Sequence, residues 1–208
     1  MQAQEKTLID FLRAKQQFTI PIYQRTYSWT PKQCLKLWQD IKEISKSDEA
    51  KYHFMGPIVR IKQKLDSSEI SEQVIIDGQQ RLTTLMLLLR AFYAKFNNMQ
   101  DDNSKSTRDR IAQCLWKTDE FGKADLNVLK IDSEVATDND KDEFLDILKT
   151  GFVSKDQKSN YARNYIFFQQ KIDDFLSEFP SYFAYLPARI LGNCILLPIE
   201  AESQDTAL

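Results

Sequence analysis

The stretch Val74-Ile75-Ile76-Asp77-Gly78-Gln79-Gln80-Arg81 constrains this chain more than any other. An apolar run stops at an acid and a glycine. Two carboxamides and an arginine follow, and then a strongly apolar segment begins. A strand that turns straight into a helix leaves the N–H groups of the first helical turn unpaired, and the helix dipole adds positive character at the same point. Such a junction suits an anion. In the segment that follows, Leu82, Leu85, Met86, Leu89, Phe92, Tyr93 and Phe96 recur at three- and four-residue steps, and Leu87 and Leu88 widen the face. A helix over 79–97 with this pattern belongs at the centre of a core.

The junction also has a purely structural account. Asp77 can cap the helix, and Gln80 three residues later can complete a capping box. Gly78 then serves only the tight turn, and Arg81 pairs with Asp77 four residues back. This account leaves two residues without a task. Arg81 places a cation at the unfavourable end of the dipole, a cost of ~0.3–1 kcal/mol, and Gln79 has no capping duty. A bound anion reverses the sign of the first, so phosphate chemistry is the preferred expectation.

With 208 residues, 42% hydrophobic and 28% charged, the chain can form one domain or two small ones with a sizeable core. A net charge of −2 gives no global basic field for nucleic acid and leaves only a local groove. Cys34, Cys114 and Cys194 are scattered with no CxxC pair, which suits a reduced compartment and buried thiols. His53 is the single histidine, so a Ser–His–Asp triad and a multi-histidine metal site are both disfavoured. Met1 to Lys6 has no apolar signal core, and Leu85 to Leu89 is too short to span a bilayer. The expected location is the cytoplasm, with no membrane partner.

Periodicity and capping place the other elements. Helices are expected over 7–15, from Thr30 to Ser45 with Leu35, Trp38, Ile41 and Ile44 inward, and over 108–117, 140–149, 160–179 and 182–191. Thr30-Pro31-Lys32-Gln33 is a helix start with a capping box. Strands are expected at 54–62, 73–76, 126–131 and 193–200, with a short extended piece at 18–22. Residues 63–72 and 100–107 read as polar connections. The pattern is α+β: a strand-bearing segment over 1–98 and a mostly helical segment with a closing strand over 99–208.

Two further groups carry candidate chemistry. If Ile20 to Trp29 is extended, Tyr23, Arg25, Tyr27 and Trp29 share a face that can stack a base and bind a phosphate. The alternative, equally weighted, is rings covering a core edge with Arg25 reaching solvent or an acid. In Tyr52-His53-Phe54-Met55-Gly56-Pro57, His53 opens a strand and can orient a phosphate or base, although a lone histidine is more often a structural hydrogen-bonder.

The order IPIYQRTYSW, HFMGPIV, VIIDGQQRLTTL resembles the N-terminal domain of GmrSD-type restriction enzymes, a bacterial family with a ParB/sulfiredoxin-like fold. The resemblance extends through Asn164-Tyr165 to the closing strand at Cys194 to Glu200. It implies binding and Mg²⁺-dependent hydrolysis of a nucleoside triphosphate, GTP or ATP, coupled to defence against modified foreign DNA. On these residues, Asp77 would position Mg²⁺ or the attacking water. Gly78 and Gln79 would offer N–H groups, Gln80 would orient water or a phosphate oxygen, and Arg81 would stabilise the transferring phosphoryl group. Tyr23, Gln24 and Arg25 would complete the nucleotide pocket from the opposite wall, with His53 and Thr83 beside it. DNA is the expected partner of the full-length protein, and a homodimer is allowed. Family members continue past such a closing strand, many into an HNH nuclease. The chain ends at Ala207-Leu208, so a fragment without that nuclease is expected. The competing readings are a DNA-binding module without turnover, a ParB-like nuclease acting through Asp77 and His53, and a structural interaction domain.

Overall fold

The computed structural model of the chain describes residues 2–46, 49, 51–64 and 71–202. The described elements run β1 (Gln2–Ala3), β2 (Lys6–Thr7), α1 (Leu8–Arg13), β3 (Gln16–Ile20), α2 (Pro31–Ser45), β4 (His53–Lys64), β5 (Ser71–Asp77), α3 (Gln79–Phe96), α4 (Asp102–Leu115), β6 (Trp116–Thr118), β7 (Ala124–Leu129), β8 (Ile131–Ser133), α5 (Lys141–Thr150), α6 (Asn160–Glu178), α7 (Tyr185–Asn193) and β9 (Cys194–Glu200). The fold is α+β. One mixed sheet has the order β1-β9-β4-β5-β3-β8, with β2 also on β9, and β6 and β7 form a separate hairpin. β4 and β5 run antiparallel, whereas β3–β5, β3–β8 and β4–β9 are parallel.

Strands β8 and β9 come from beyond residue 98 and flank strands that come from before it. The two sequence segments therefore share one sheet. Helix α3 packs at the centre, against α4, α5 and α6. Its residues from Leu82 to Phe92 are all buried, which accounts for the near-continuous apolar sequence. Among the described residues no helix is long and apolar enough to cross a membrane.

Several local expectations change. Residues 102–107 are not a loop: Asp101 caps α4 by accepting from Ser104 N–H at 2.9 Å, and Asp102 adds an acid to the first turn. The expected strand at 126–131 is two, β7 and β8, interrupted at Lys130. Strand β4 runs on to Lys64 and β5 begins at Ser71; residues 65–70 of the expected connection lie outside the described residues. The inward stripe of α2 uses Cys34 and Leu37 with Trp38, Ile41 and Ile44, while Leu35 is exposed. Gln33 does close back on Thr30, accepting from its N–H at 2.9 Å and its hydroxyl at 2.8 Å. Residues 182–191 split into a short 3-10 turn at Pro180–Tyr182 and α7. All three cysteines are free and buried.

Candidate functional site

The junction after β5 is not built as the capping account expects, and it keeps the unpaired first-turn N–H groups of a strand that turns straight into a helix. Gly78, not Asp77, is the N-cap of α3, and no side chain caps it. By contrast α1, α4 and α6 each begin with a side chain that accepts from the first turn: Thr7, Asp101 and Ser159. Leu82 N–H is the first in α3 to find a carbonyl four residues back, on Gly78 at 3.0 Å. The N–H groups of Gln79, Gln80 and Arg81 therefore precede the helical ladder. Gly78 has φ +92°, and a Cβ there would come within 3.1 Å of Ile58 Cγ1 and 3.2 Å of Pro57 O. Only glycine allows this left-handed turn pressed against β4.

The expected capping box fails because Gln80 is used elsewhere. Its Oε1 accepts from Ser28 N–H at 2.8 Å and from the Ser28 hydroxyl at 3.3 Å, and its Nε2 donates to Thr26 O at 3.3 Å. Both ends of the amide thus hold residues 26–28 against the start of α3. Gln24 makes a parallel clamp, donating to Ile76 O at 2.7 Å and Ile75 O at 3.3 Å. Gln79 and Thr83 are buried in the first two turns. Asp77 is exposed at the end of β5.

Arg81 leaves the first turn toward β4. Its Nη1 donates to Pro57 O at 3.0 Å, and the guanidinium lies flat against Gly56, where a Cβ would meet Nη1 and Nη2 at 3.2 Å. Gly56 has φ +98° and supplies the gap that this contact needs. Among the described residues no carboxylate is within ion-pair distance of Arg81. Burial pulls the guanidinium below its ordinary pKa, and Asp77 partly offsets this. Arg81 is a half-buried cation with one backbone acceptor, at the positive end of a helix.

Arg81 also lines a cleft of about 360 Å³ with Trp29, with Lys36, Leu37 and Asp40 of α2, and with His53 and Phe54 of β4. His53 Nε2 stands 3.8 Å from Asp40 Oδ2. The structure thus brings Arg81 and His53 to one cleft. Tyr23, Gln24 and Arg25 do not line it. Residues 21–30 form no strand, so Tyr23, Arg25, Tyr27 and Trp29 share no face: Tyr27 is buried and stacked on Tyr161, while Tyr23 and Arg25 are exposed. The Tyr27 hydroxyl instead joins a buried network with Thr84 at 2.7 Å and Asn164 at 2.7 Å.

The three motif segments therefore converge on one place. IPIYQRTYSW is clamped by Gln24 and Gln80, HFMGPIV carries the guanidinium of Arg81, and VIIDGQQR supplies the junction. The family model for the GmrSD restriction endonuclease N-terminal domain matches residues 8–208. The chain belongs to this family. No curated protein matches it. In this GmrSD N-terminal domain the cleft residues Lys36 and Asp40 had no signal in the sequence, and Phe54 stood inside the HFMGPIV motif with no role of its own. Lys36 and Asp40 read as an ordinary exposed pair four residues apart, and only the packing of α2 on β4 brings them to Arg81.

The site also bears on the metal that the resemblance implies. Among the described residues no group of three His, Cys, Asp or Glu can hold a metal ion. Asp77 alone does fit magnesium that arrives with a triphosphate, because Mg²⁺ keeps its waters and takes one or two carboxylates plus substrate phosphates.

Proposed function

We propose that this domain binds and hydrolyses a nucleoside triphosphate and so regulates a modification-dependent restriction protein. One observation carries the reading: an uncapped helix N-terminus with an unpaired, half-buried arginine in its first turn. Two positive features meet where, among the described residues, no carboxylate closes an ion pair and Asp77 acts only from a distance. A phosphate chain supplies the counter-charge, binding the free N–H groups and the guanidinium together.

The residues at the junction take these roles. Arg81 binds the terminal phosphates and stabilises charge that develops on the transferring group. Gln79 and Gly78 contribute backbone donors. Asp77, exposed beside them, would hold a magnesium ion brought in with the triphosphate, and that ion would supply neutralisation of phosphate charge. Gln80 and Gln24 act as positioning residues, because their amides already hold residues 26–28 and the end of β5. Arg25, exposed on the clamped segment and outside the cleft, is placed to meet DNA in the cytoplasm.

The test is phosphate release from GTP, ATP, CTP and UTP with Mg²⁺, with binding followed by thermal shift. Wild-type protein is expected to bind at least one of them. Arg81→Ala and Asp77→Ala are expected to lose turnover by ~100-fold or more while remaining folded, the scale of removing one transition-state donor. Absence of both binding and turnover with all four nucleotides overturns the reading.

A further inference from the structure

The cleft that Arg81 lines has further lining residues that phosphate binding does not use. Trp29 and Phe54 line it, and among the described residues neither ring makes an aromatic contact. Other rings of this chain are paired: Tyr27 stacks on Tyr161, Trp38 meets Phe175, and Trp116 meets Tyr93. Phe54 is 54% exposed, between the half-buried His53 and the buried Met55. Beside these rings, the Asp40 carboxylate stands 3.8 Å from both Lys36 Nζ and His53 Nε2. Both distances exceed a hydrogen bond, so its oxygens remain open to a ligand donor. The volume of about 360 Å³ lies in the range of small-molecule sites.

A ligand in this cleft meets aromatic rings, a carboxylate and a guanidinium. That combination matches a nucleotide, whose base is flat, whose sugar offers hydroxyl donors and whose phosphates are anionic. We propose that the cleft between α2 and the start of β4 holds the nucleoside half of the triphosphate. The base lies against Phe54 and Trp29, a sugar hydroxyl or base N–H donates to Asp40, and the phosphates run past Arg81 to the first turn of α3. This inference rests on the nucleotide-binding reading above and adds the seat of the base.

Trp29 offers a direct readout. Trp38 and Trp116 are 4% and 1% exposed, so quenching by a bound base reports on Trp29. ATP and GTP are titrated against wild type and Phe54→Ala, with inorganic tripolyphosphate as a probe that has phosphates and no base. Wild type is expected to bind a nucleoside triphosphate ~10-fold more tightly than tripolyphosphate, the scale of one stacked base. Only the nucleotide should quench Trp29. Phe54→Ala should erase that advantage and leave tripolyphosphate affinity unchanged, which also shows that the variant is folded. An unchanged nucleotide-to-tripolyphosphate ratio in Phe54→Ala overturns the seat of the base and leaves phosphate binding at Arg81 intact. Quenching by single-stranded DNA but not by mononucleotides overturns it in favour of a nucleic-acid base. If neither nucleotide nor tripolyphosphate binds, the nucleotide reading itself falls and takes this inference with it.

Discussion

Buried and half-buried cations sit at opposite ends of helices in this domain, and the two ends teach different things. Arg90 and Lys130 lie at helix C-termini. Arg90 Nε donates to Leu148 O at 2.8 Å in the last turn of α5, with its guanidinium 5.1 Å from the Tyr93 ring and 5.5 Å from the Trp116 ring. Lys130 Nζ donates to Leu12 O at 2.8 Å and Gln113 O at 2.7 Å, joining the ends of α1 and α4. In each case the cation satisfies carbonyls that the helix leaves unpaired, at the negative end of the dipole. Arg81 does the reverse, standing in a first turn among unpaired donors. A cation at a C-terminus is completed by the fold, whereas the proposed function has the cation at the N-terminus completed by an anion from outside.

The comparison breaks most sharply at Arg90. Replacing it with Met removes the donor to Leu148 O and the charge between two rings, and leaves unfilled volume. The expected loss is about 3 kcal/mol, combining a buried unsatisfied acceptor with a packing defect. Urea unfolding measures it. A loss under about 1 kcal/mol would show that the C-terminal cations are incidental.

Lys130 sharpens the comparison through pH. Burial pulls its pKa down from 10.5 to about 8, so the carbonyls of two helix ends do not fully replace water. Between about pH 8 and 10.5 the unfolded chain binds more protons at this site than the folded one, and stability rises with pH there. The Lys130 contribution is least favourable below about pH 8 and fully relieved above 10.5. Wild type should therefore gain on Lys130→Met by about 1 kcal/mol between pH 7 and pH 9, one pKa unit being 1.36 kcal/mol. Paired urea titrations at the two pH values decide it, since every other titrating group is common to both proteins. A constant difference between them refutes the depressed lysine.

These contrasts also show what a sequence can carry. The 3.6-residue recurrence of α3, the Thr30-Pro31 start of α2 and the turn at Gly78 are local, and each was legible. The partners of Arg90 and Lys130 were not, because Leu148 and Leu12 lie 58 and 118 residues away. The same distance hid the task of Gln80. Its spacing from Asp77 suits a capping box, but its amide spans to Ser28, 52 residues upstream. Local pattern proposes a cap, and a tertiary contact with three hydrogen bonds outcompetes it. Asp101 is the opposite case: its cap was present in the sequence, and the polarity of residues 100–107 masked it. At the candidate site, Arg81 and His53 were legible as residue types, but their common cleft required the packing of α2 on β4.

The smallest effect is the most discriminating. Arg81→Gln loses one charged hydrogen bond, to Pro57 O, but removes a half-buried cation from the wrong end of a dipole. The first costs about 1.5–3 kcal/mol as a gross interaction. Against it stand ~0.3–1 kcal/mol of dipole relief, the recovered desolvation, and the amide's own ability to donate to the same carbonyl. The stability of the apo domain should change by less than about 1 kcal/mol, against about 3 for Arg90. The variant should differ from wild type in its response to anions. Tripolyphosphate at 100 times its dissociation constant should stabilise wild type by ~2.7 kcal/mol, and the same concentration should leave Arg81→Gln nearly unmoved. If Arg81→Gln instead unfolds the apo protein as Arg90→Met does, Arg81 is a strut for β4, and the distinction between the two helix ends disappears.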